Sequence, residues 1–446
     1  MANFKAIIIG AGPNGLLAAL TLQKAGVDFI ILEKRKVADL NWGSSVCLWP
    51  HSVRVLDQLG LLKEAKKLYM PIKRKCNLRR DGSVISWSRM IEDIKDFHGH
   101  DWMLFERGNL VSMLMKHLPD KSTQLMLDKT VTDINSGPDS VQVTCSDGSS
   151  YSGSILIGAD GINSTARSFI DGADTDSADE KDSYAKDTFL TTFYGVYGHG
   201  GALSPTLEDR AVYETHSDGF STQLIVASPE KYYFLIYQKL PTPTRKAHWL
   251  ASEKAEELAA QNADTYLAPG VTYKQVWEGK SWTHMAPLEE GVTKTWFKDR
   301  VVLLGDSAHK MTPNLGFSLN TGWQSAVTLT NLLRALLAEK PNPTNNDLTE
   351  LFTKYDNLRR GVVKKDLELS ATATRVQAWD TLPWKVIDQY ILPYVGGDRA
   401  LLKYLCSPLV KKSITLDFLP EHNFTQGKIR WVNKPADHEE ADMDVL

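Results

Sequence analysis

The first 33 residues constrain this chain more than any other stretch. Phe4 to Ile9 is an apolar run of strand length, and Gly10-Ala11-Gly12-Pro13-Asn14-Gly15 is a turn. Leu16 to Ala25 repeats apolar residues at helical spacing, Gly26 stops it, and Phe29 to Leu32 is a second strand. Gly10, Gly12 and Gly15 match G-x-G-x-x-G in the strand–turn–helix context that gives this pattern meaning. Glycines there permit a tight turn and let a pyrophosphate approach the backbone at a helix N-terminus, where free N–H groups and the dipole favour anions. Glu33 ends the second strand 18 residues after Gly15, placed to accept hydrogen bonds from an adenosine ribose. A dinucleotide site on an α/β domain is therefore expected. The motif does not choose among NAD, NADP and FAD.

Composition narrows the rest by exclusion. The chain has 446 residues, 51 Lys+Arg against 54 Asp+Glu for a net charge of −3, and 42% apolar residues. That is room for roughly two or three domains with a large core. Such a balance speaks against a nucleic-acid partner, whose domain would be strongly basic. Cys47, Cys76, Cys145 and Cys406 show no C-x-x-C spacing, so neither a disulfide framework nor a metal site is expected and the thiols suit a reducing compartment. No run approaches ~18 consecutive apolar residues, so no transmembrane helix is expected. The start lacks the region order of a secretory signal. A cytoplasmic, multi-domain protein is the expectation.

Beyond the first unit, Val141 to Cys145 and Ile155 to Ile157 read as further strands. Thr188 to Tyr197, Arg210 to Glu214, Ser221 to Ala227 and Tyr232 to Gln238 follow closely as aromatic-rich strands of a separate, mostly antiparallel sheet. The acidic stretch Asp171 to Asp187 and Pro241-Thr242-Pro243 read as linkers flanking it. Val301 to Leu304 is again a buried-type strand, followed by helical patterns from Asn320 to Ala338 and from Leu348 to Thr374. The tail Ala436 to Leu446 is acidic and expected to be disordered. The expected division is a nucleotide domain in three pieces (1–71, 99–187 and 290–375), substrate-domain segments at 72–98 and 188–289, and a C-terminal helical region with its tail at 376–446. Three other signals take the plainer reading. Gly195 to Gly201 is read as a loop and His98-Gly99-His100-Asp101 as a surface loop. The basic stretch from Lys63 to Arg80, Lys75 included, is read as a solvated face, with contact to a nicotinamide phosphate or a membrane surface as the sharper alternative.

Two later motifs decide between the dinucleotides. Ile155-Leu156-Ile157-Gly158-Ala159-Asp160-Gly161 is a strand, then Asp-Gly, then Ser164 capping a helix that carries Arg167. Val301-Val302-Leu303-Leu304-Gly305-Asp306 is a strand that delivers a carboxylate just beyond its C-terminal end, where open α/β sheets bind ligands. Asp306 is thus placed to accept from a polyol such as ribitol, which points to FAD. The helix after it would aim its positive end at an anionic flavin ring.

With these motifs in place, the sequence resembles the FAD-dependent monooxygenases of the para-hydroxybenzoate hydroxylase class. Gly305-Asp-Ser-Ala-His-Lys-Met-Thr-Pro-Asn-Leu-Gly316 resembles most closely the fungal branch acting on terpenoid and meroterpenoid metabolites. Glu33-Lys34-Arg35, the run Trp49 to Gly60 and Leu416 to Pro420 fit that branch too, so the likeness runs from about residue 4 to about 420. It implies a Rossmann-like, glutathione-reductase-type FAD domain, a second, mostly antiparallel β substrate domain, and C-terminal helices. It implies FAD contacts from Glu33, Arg35, Arg107, Asp160, Gly305 and Asp306, with Cys47, Pro313, Gly316, Leu319 and Asn320 around the flavin ring. Tyr213 matches a tyrosine regarded as an active-site residue in the branch, and is the candidate proton donor.

Two segments depart from the branch. Gly-Gln-Gly-Ala-Asn is expected after Pro-Asn-Leu, and here it reads Gly316-Phe317-Ser318-Leu319-Asn320. Gly-Ala-Ser-x-Gly appears as Gly43-Ser44-Ser45-Val46-Cys47, with Cys47 in place of the last glycine. Both face the expected flavin ring. The expected activity is insertion of one oxygen atom from O₂ into a bulky apolar small molecule, with FAD as cofactor and NADPH or NADH as co-substrate. Epoxidation is the first expectation and hydroxylation the second. The alternative raised by the departures is a redox-neutral cyclase or isomerase, or a non-oxygenase scaffold, on the same fold.

Overall fold

A computed structural model of the chain describes residues 4–36, 43–172, 189–204, 207–245 and 252–434. Its six-stranded sheet has the order Phe297–Lys298, Val301–Leu303, Ile155–Gly158, Lys5–Ile9, Asp28–Leu32, Leu125–Met126. Neighbours run parallel except at the Phe297–Lys298 edge. Helices cover a parallel sheet on both faces, which is why these strands are continuous apolar runs; Ala6 to Ile9 and Val301 to Leu303 are all buried. The helix Pro13–Lys24 lies against Phe317–Glu339, joined where the Trp323 indole N–H donates to the Pro13 carbonyl (3.2 Å) and where Thr21 and Thr330 share a 2.8 Å hydrogen bond. This strand order puts the C-terminal ends of three distant strands side by side, at Gly10, Asp160 and Asp306.

The second sheet has eight strands in the order His309–Lys310, Lys280–Val292, Leu190–Gly200, Lys231–Thr244, Phe220–Ser228, Ala211–Ser217, Arg74–Arg79, Val84–Ser88. Only the pair Ala211–Ser217 and Arg74–Arg79 is parallel. One face is roofed by the helix Asn345–Gln377 and by short helical turns from Leu382 to Val410. The chain then returns to its N-terminal third, where Arg54 and Glu421 form a buried ion pair at 2.6 Å.

Several expectations change. Gly195 to Gly200 is strand rather than loop: a Cβ on Gly198 would lie 2.2 Å from the Phe234 ring and one on Gly200 2.3 Å from the Tyr232 ring, so the glycines make room for aromatics on the next strand. Pro241-Thr242-Pro243 closes the strand Lys231–Thr244 instead of linking domains. It is exposed where the register with Leu190–Gly200 shifts, a place where a missing N–H breaks no ladder. His98 ends the buried helix Met90–His98, and its ring shares a 2.9 Å hydrogen bond with Ser407, so this segment is interior. The expected acidic linker lies outside the described residues beyond Gly172, as does the expected acidic tail. Among the described residues no helix is long and apolar enough to cross a membrane.

Candidate active site

The crevice at the strand ends opens into a cavity of about 360 Å³ that gathers Gly10, Gly12, Glu33, Arg35, Arg107, Asp160 and Asp306. Each glycine of the turn has its own reason. Gly15 lets the helix press on the turn, since a Cβ there would lie 2.0 Å from the Gly10 carbonyl oxygen. Gly10 has φ +102° and passes 2.5 Å, at Cβ distance, from the Ala159 carbonyl. Gly12 is different: a Cβ there would meet nothing within 4 Å. It is the N-cap of Pro13–Lys24, with extended backbone and no side-chain cap, so the N–H groups that follow Pro13 in the first turn have no partner within the helix. A cradle of this kind fits a pyrophosphate.

Glu33 is held ready rather than satisfied. Its carboxylate accepts from the Ala11 N–H (2.7 Å) and the Arg35 N–H (2.9 Å), which aim it into the cavity with lone pairs to spare for ribose hydroxyls. Arg107 opens the helix Arg107–Lys116 and packs its stem against Gly43. Burial, and then the Arg35 guanidinium, pull its pKa below the usual arginine value. Two guanidinium groups thus meet in this cavity beside the Glu33 and Asp306 carboxylates, a donor set that fits a pyrophosphate.

The Asp160 and Asp306 segments work as a pair. Asp160 lines the cavity, but its oxygens accept from Ser164 Oγ (2.6 Å) and the Ala166 N–H (3.2 Å), so it caps the following helix rather than presenting a free carboxylate. Arg167 on that helix donates to the Ser307 carbonyl (3.0 Å) and thereby positions the Gly305–Ser307 turn. Gly305 has φ +66° and no room for a Cβ beside Asn14. Asp306 accepts from Ser318 Oγ (2.9 Å) and Lys310 Nζ (2.6 Å); burial works against its charge, but Lys310, Ser318 and His309 together more than offset that and hold its pKa below the usual carboxylate value.

A second cavity, of about 210 Å³, lies beyond Asp306 between the turn Pro313–Leu315, the strand Ser45–Leu48 and the eight-stranded sheet. Pro313, Gly316, Leu319 and Cys47 line it. The two departures from the family pattern meet here. A Cβ on Gly316 (φ +66°) would lie 2.1 Å from Cys47 Sγ, so the cysteine side chain occupies the space beside the turn. Burial pushes the Cys47 thiol up to about 12, leaving it a neutral packing group. Phe317, expected to crowd the ring, is turned into the core with its ring centroid 4.8 Å from that of Trp49. Ser318 and Leu319 both line the cavity, the former with its hydroxyl donated to Asp306, so of the three replacements Phe317 alone is turned away from it. The helix starts at Phe317, not Asn320. Asn320 is buried and acts as a clamp: its Oδ1 accepts from the Trp49 N–H (2.9 Å), and its Nδ2 donates to the carbonyls of Cys47 (3.0 Å) and Gly316 (2.7 Å).

Tyr213 does not belong to this site. Side chains alternate along Ala211–Ser217, and Val212 and Glu214 face the cavity. Tyr213 points to the other side of the sheet, into an apolar cluster, where its hydroxyl donates to the Glu208 carbonyl (2.9 Å). Sequence reading missed its neighbour. Glu214 is buried in the cavity wall, 2.7 Å from Lys75 Nζ, and accepts from Gln223 (2.6 Å) and Gln377 (2.7 Å). Burial opposes its charge, but Lys75 and His216 together outweigh burial and hold the carboxyl down at about 2. Lys75 is therefore not part of a solvated face. The available signal was faint, since Glu214 and His216 share one face of the strand but Thr215 and Ser217 on the other face are polar as well.

Fold and cavities together define an FAD-binding α/β protein with a second, mostly antiparallel sheet. A family model described as an FAD binding domain matches residues 3–368. The FAD-dependent monooxygenase srdH of Neurospora crassa is 30% identical over 450 residues, covering 97% of this chain and 99% of its own. The FAD-dependent monooxygenase nvfK of Aspergillus novofumigatus is 29% identical over 435 residues, covering 96% and 90%. The crystal structure of Klebsiella pneumoniae HpxO with FAD and uric acid superposes with a TM-score of 0.73 at 19% identity, covering 91% of this chain and 97% of that one. This chain belongs to the FAD-dependent monooxygenases.

Proposed function

We propose that the chain uses NADPH or NADH to reduce FAD and inserts one atom of O₂ into a bulky apolar small molecule, by epoxidation or hydroxylation. FAD, when bound, supplies the electron transfer and the activation of oxygen. The protein's residues do the rest. The helix Pro13–Lys24 and the Arg35 and Arg107 side chains would take the pyrophosphate, Glu33 the ribose, and Asp306 the ribityl chain. The start of Phe317–Glu339 places positive dipole beside the ring. One observation carries the substrate reading. The cavity beside Gly316 is walled mainly by apolar side chains, among them Ile91, Ile94, Ile225, Leu235 and Trp102, and its charged wall is internally paired. Such a site favours an apolar skeleton and sheds water. The redox-neutral alternative is not favoured, because part of its motive falls away where Phe317 packs into the core and Ser318 bonds Asp306.

The test is an absorption spectrum of purified protein with FAD, followed by NAD(P)H oxidation in air with a panel of terpenoid, polyketide and indole substrates. Flavin bands and a product heavier by one oxygen are expected. Absence of flavin bands after FAD addition, or a product isomeric with its substrate, would falsify the proposal.

A further inference from the structure

A third cavity, of about 300 Å³, continues from the one beside Gly316 along the same face of the eight-stranded sheet. Lys75, Met90, Leu315 and Gln377 line both, so the two are chambers of one cleft. Its floor is Asn77, in register with Glu214 on the neighbouring strand, and His216, two residues further. Its roof is apolar and comes from the helix Asn345–Gln377 and the helical turns after it, with Leu369, Val376, Ile387 and Leu401 among the lining residues.

Two polar atoms of these floor residues are buried and have no hydrogen-bond partner: Asn77 Oδ1 and His216 Nε2. Their residues are 6% and 4% exposed. The amide orientation of Asn77 follows from its surroundings, because its Nδ2 donates to Asp398 Oδ2 (3.1 Å), a carboxylate that can only accept, and to Ser86 Oγ (3.0 Å). The acceptor Oδ1 is thus left over. His216 Nδ1 is engaged by Asp388 at 2.7 Å, while Nε2 stands 3.8 Å from Glu214, beyond hydrogen-bond reach. Buried polar atoms without a hydrogen bond are rare, and two in one wall of a chamber whose charged side chains Lys75, Asp388 and Asp398 are already paired are the complement of a polar ligand group.

We infer that this second chamber is part of the substrate site and takes the far end of an elongated apolar substrate, whose polar end gives a hydroxyl donor to Asn77 and an oxygen acceptor to His216. This rests on the monooxygenase reading of the chamber beside Gly316, and it adds the substrate's second feature: length, with an oxygenated end remote from the carbon that reacts. The oxygenated end would fix which carbon lies beside Gly316.

The experiment is calorimetric titration of the FAD-loaded protein with decane-1,2-diol and with its dimethyl ether, which keeps the oxygens but lacks the donors. The diol is expected to bind at least about tenfold more tightly than the ether, since a site built to hydrogen-bond a hydroxyl rejects the analogue lacking it. Ala373→Trp, which fills the chamber from the roof helix, is expected to weaken diol binding at least about tenfold while the flavin spectrum stays unchanged. Asn77→Leu is expected to abolish the preference for diol over ether. If Ala373→Trp loses the flavin spectrum, Val376→Phe replaces it as the filling variant. Equal affinity for diol and ether, no binding of the diol, or full-strength binding to the filled variant overturns the inference. A wild-type protein without flavin bands would instead overturn the monooxygenase reading, and the diol titration would still decide the chamber.

Discussion

Tyr213 and Glu214 are adjacent in sequence and opposite in consequence. The tyrosine hydroxyl is spent on the Glu208 carbonyl beneath the sheet, while the carboxylate of Glu214 reaches the cavity. Tyr213→Phe should therefore leave turnover and FAD binding within about twofold of wild type and lower stability by about 1 kcal/mol, the value of one ordinary hydrogen bond. Steady-state rates and denaturant unfolding read the two effects separately, and a large fall in rate at unchanged stability would return the tyrosine to the mechanism. His216 gives a residue-scale pH effect. Burial lowers its pKa, but Asp388 and then Glu214 more than offset this, pushing it up to about 9, with Lys75 the cation across Glu214. Because the folded pKa exceeds the unfolded one, the stabilisation is complete below about pH 6.5 and fades as pH rises through about 9. Melting temperature should fall across that window more steeply in wild type than in His216→Gln. Parallel curves would count against the pairing.

At the scale of elements, the turn Pro313–Leu315 with Gly316 is locked from three sides: by Cys47 filling the space beside Gly316, by the Asn320 clamp, and by the Trp49 indole donating to the Leu315 carbonyl (2.8 Å). Gly316→Ala should disrupt flavin binding, because it adds a Cβ both at positive φ and against Cys47 Sγ. The left-handed conformation alone costs a non-glycine residue about 1–2 kcal/mol. Cys47→Gly in the same chain should recover the steric part and leave the conformational part, a coupling that a double-mutant cycle on FAD affinity measures. Additive losses would mean the two positions act independently. These elements also show what a sequence exposes and what it hides. The βαβ unit, the Asp160 and Gly305-Asp306 turns and the long helices were legible because each is a local pattern with one physical solution. The direction of Phe317 was not, since helix phase at a first turn depends on tertiary partners such as Trp49. Nor was the burial of Lys75, whose neighbours in sequence are solvated lysines and arginines while its partners Glu214 and Asp398 lie far along the chain.

At the scale of the molecule, the segment after Val410 fastens the C-terminal end to the N-terminal third. Arg54, fully buried, is bidentate to Glu421, donates to the Asn433 carbonyl (2.8 Å) and lies 4.4 Å from the Trp431 ring centroid. Glu421→Ala leaves that guanidinium without its counter-charge and should cost about 3–5 kcal/mol, whereas an exposed pair would cost under about 1 kcal/mol. Denaturant unfolding decides between them, and a change of under about 1 kcal/mol would mean that solvent reaches the pair.

The six-stranded sheet also sets an order of events during synthesis. Ile155–Gly158 is flanked on one side by Lys5–Ile9, made long before it, and on the other by Val301–Leu303, made long after. At about 5–20 residues per second, the wait for that last inner strand is on the order of tens of seconds. Throughout it, a nascent chain carries an open, fully apolar strand edge with no partner yet translated. The topology that brings Gly10, Asp160 and Asp306 to one cavity thus leaves the unfinished protein with an unpaired strand edge until the last inner strand arrives.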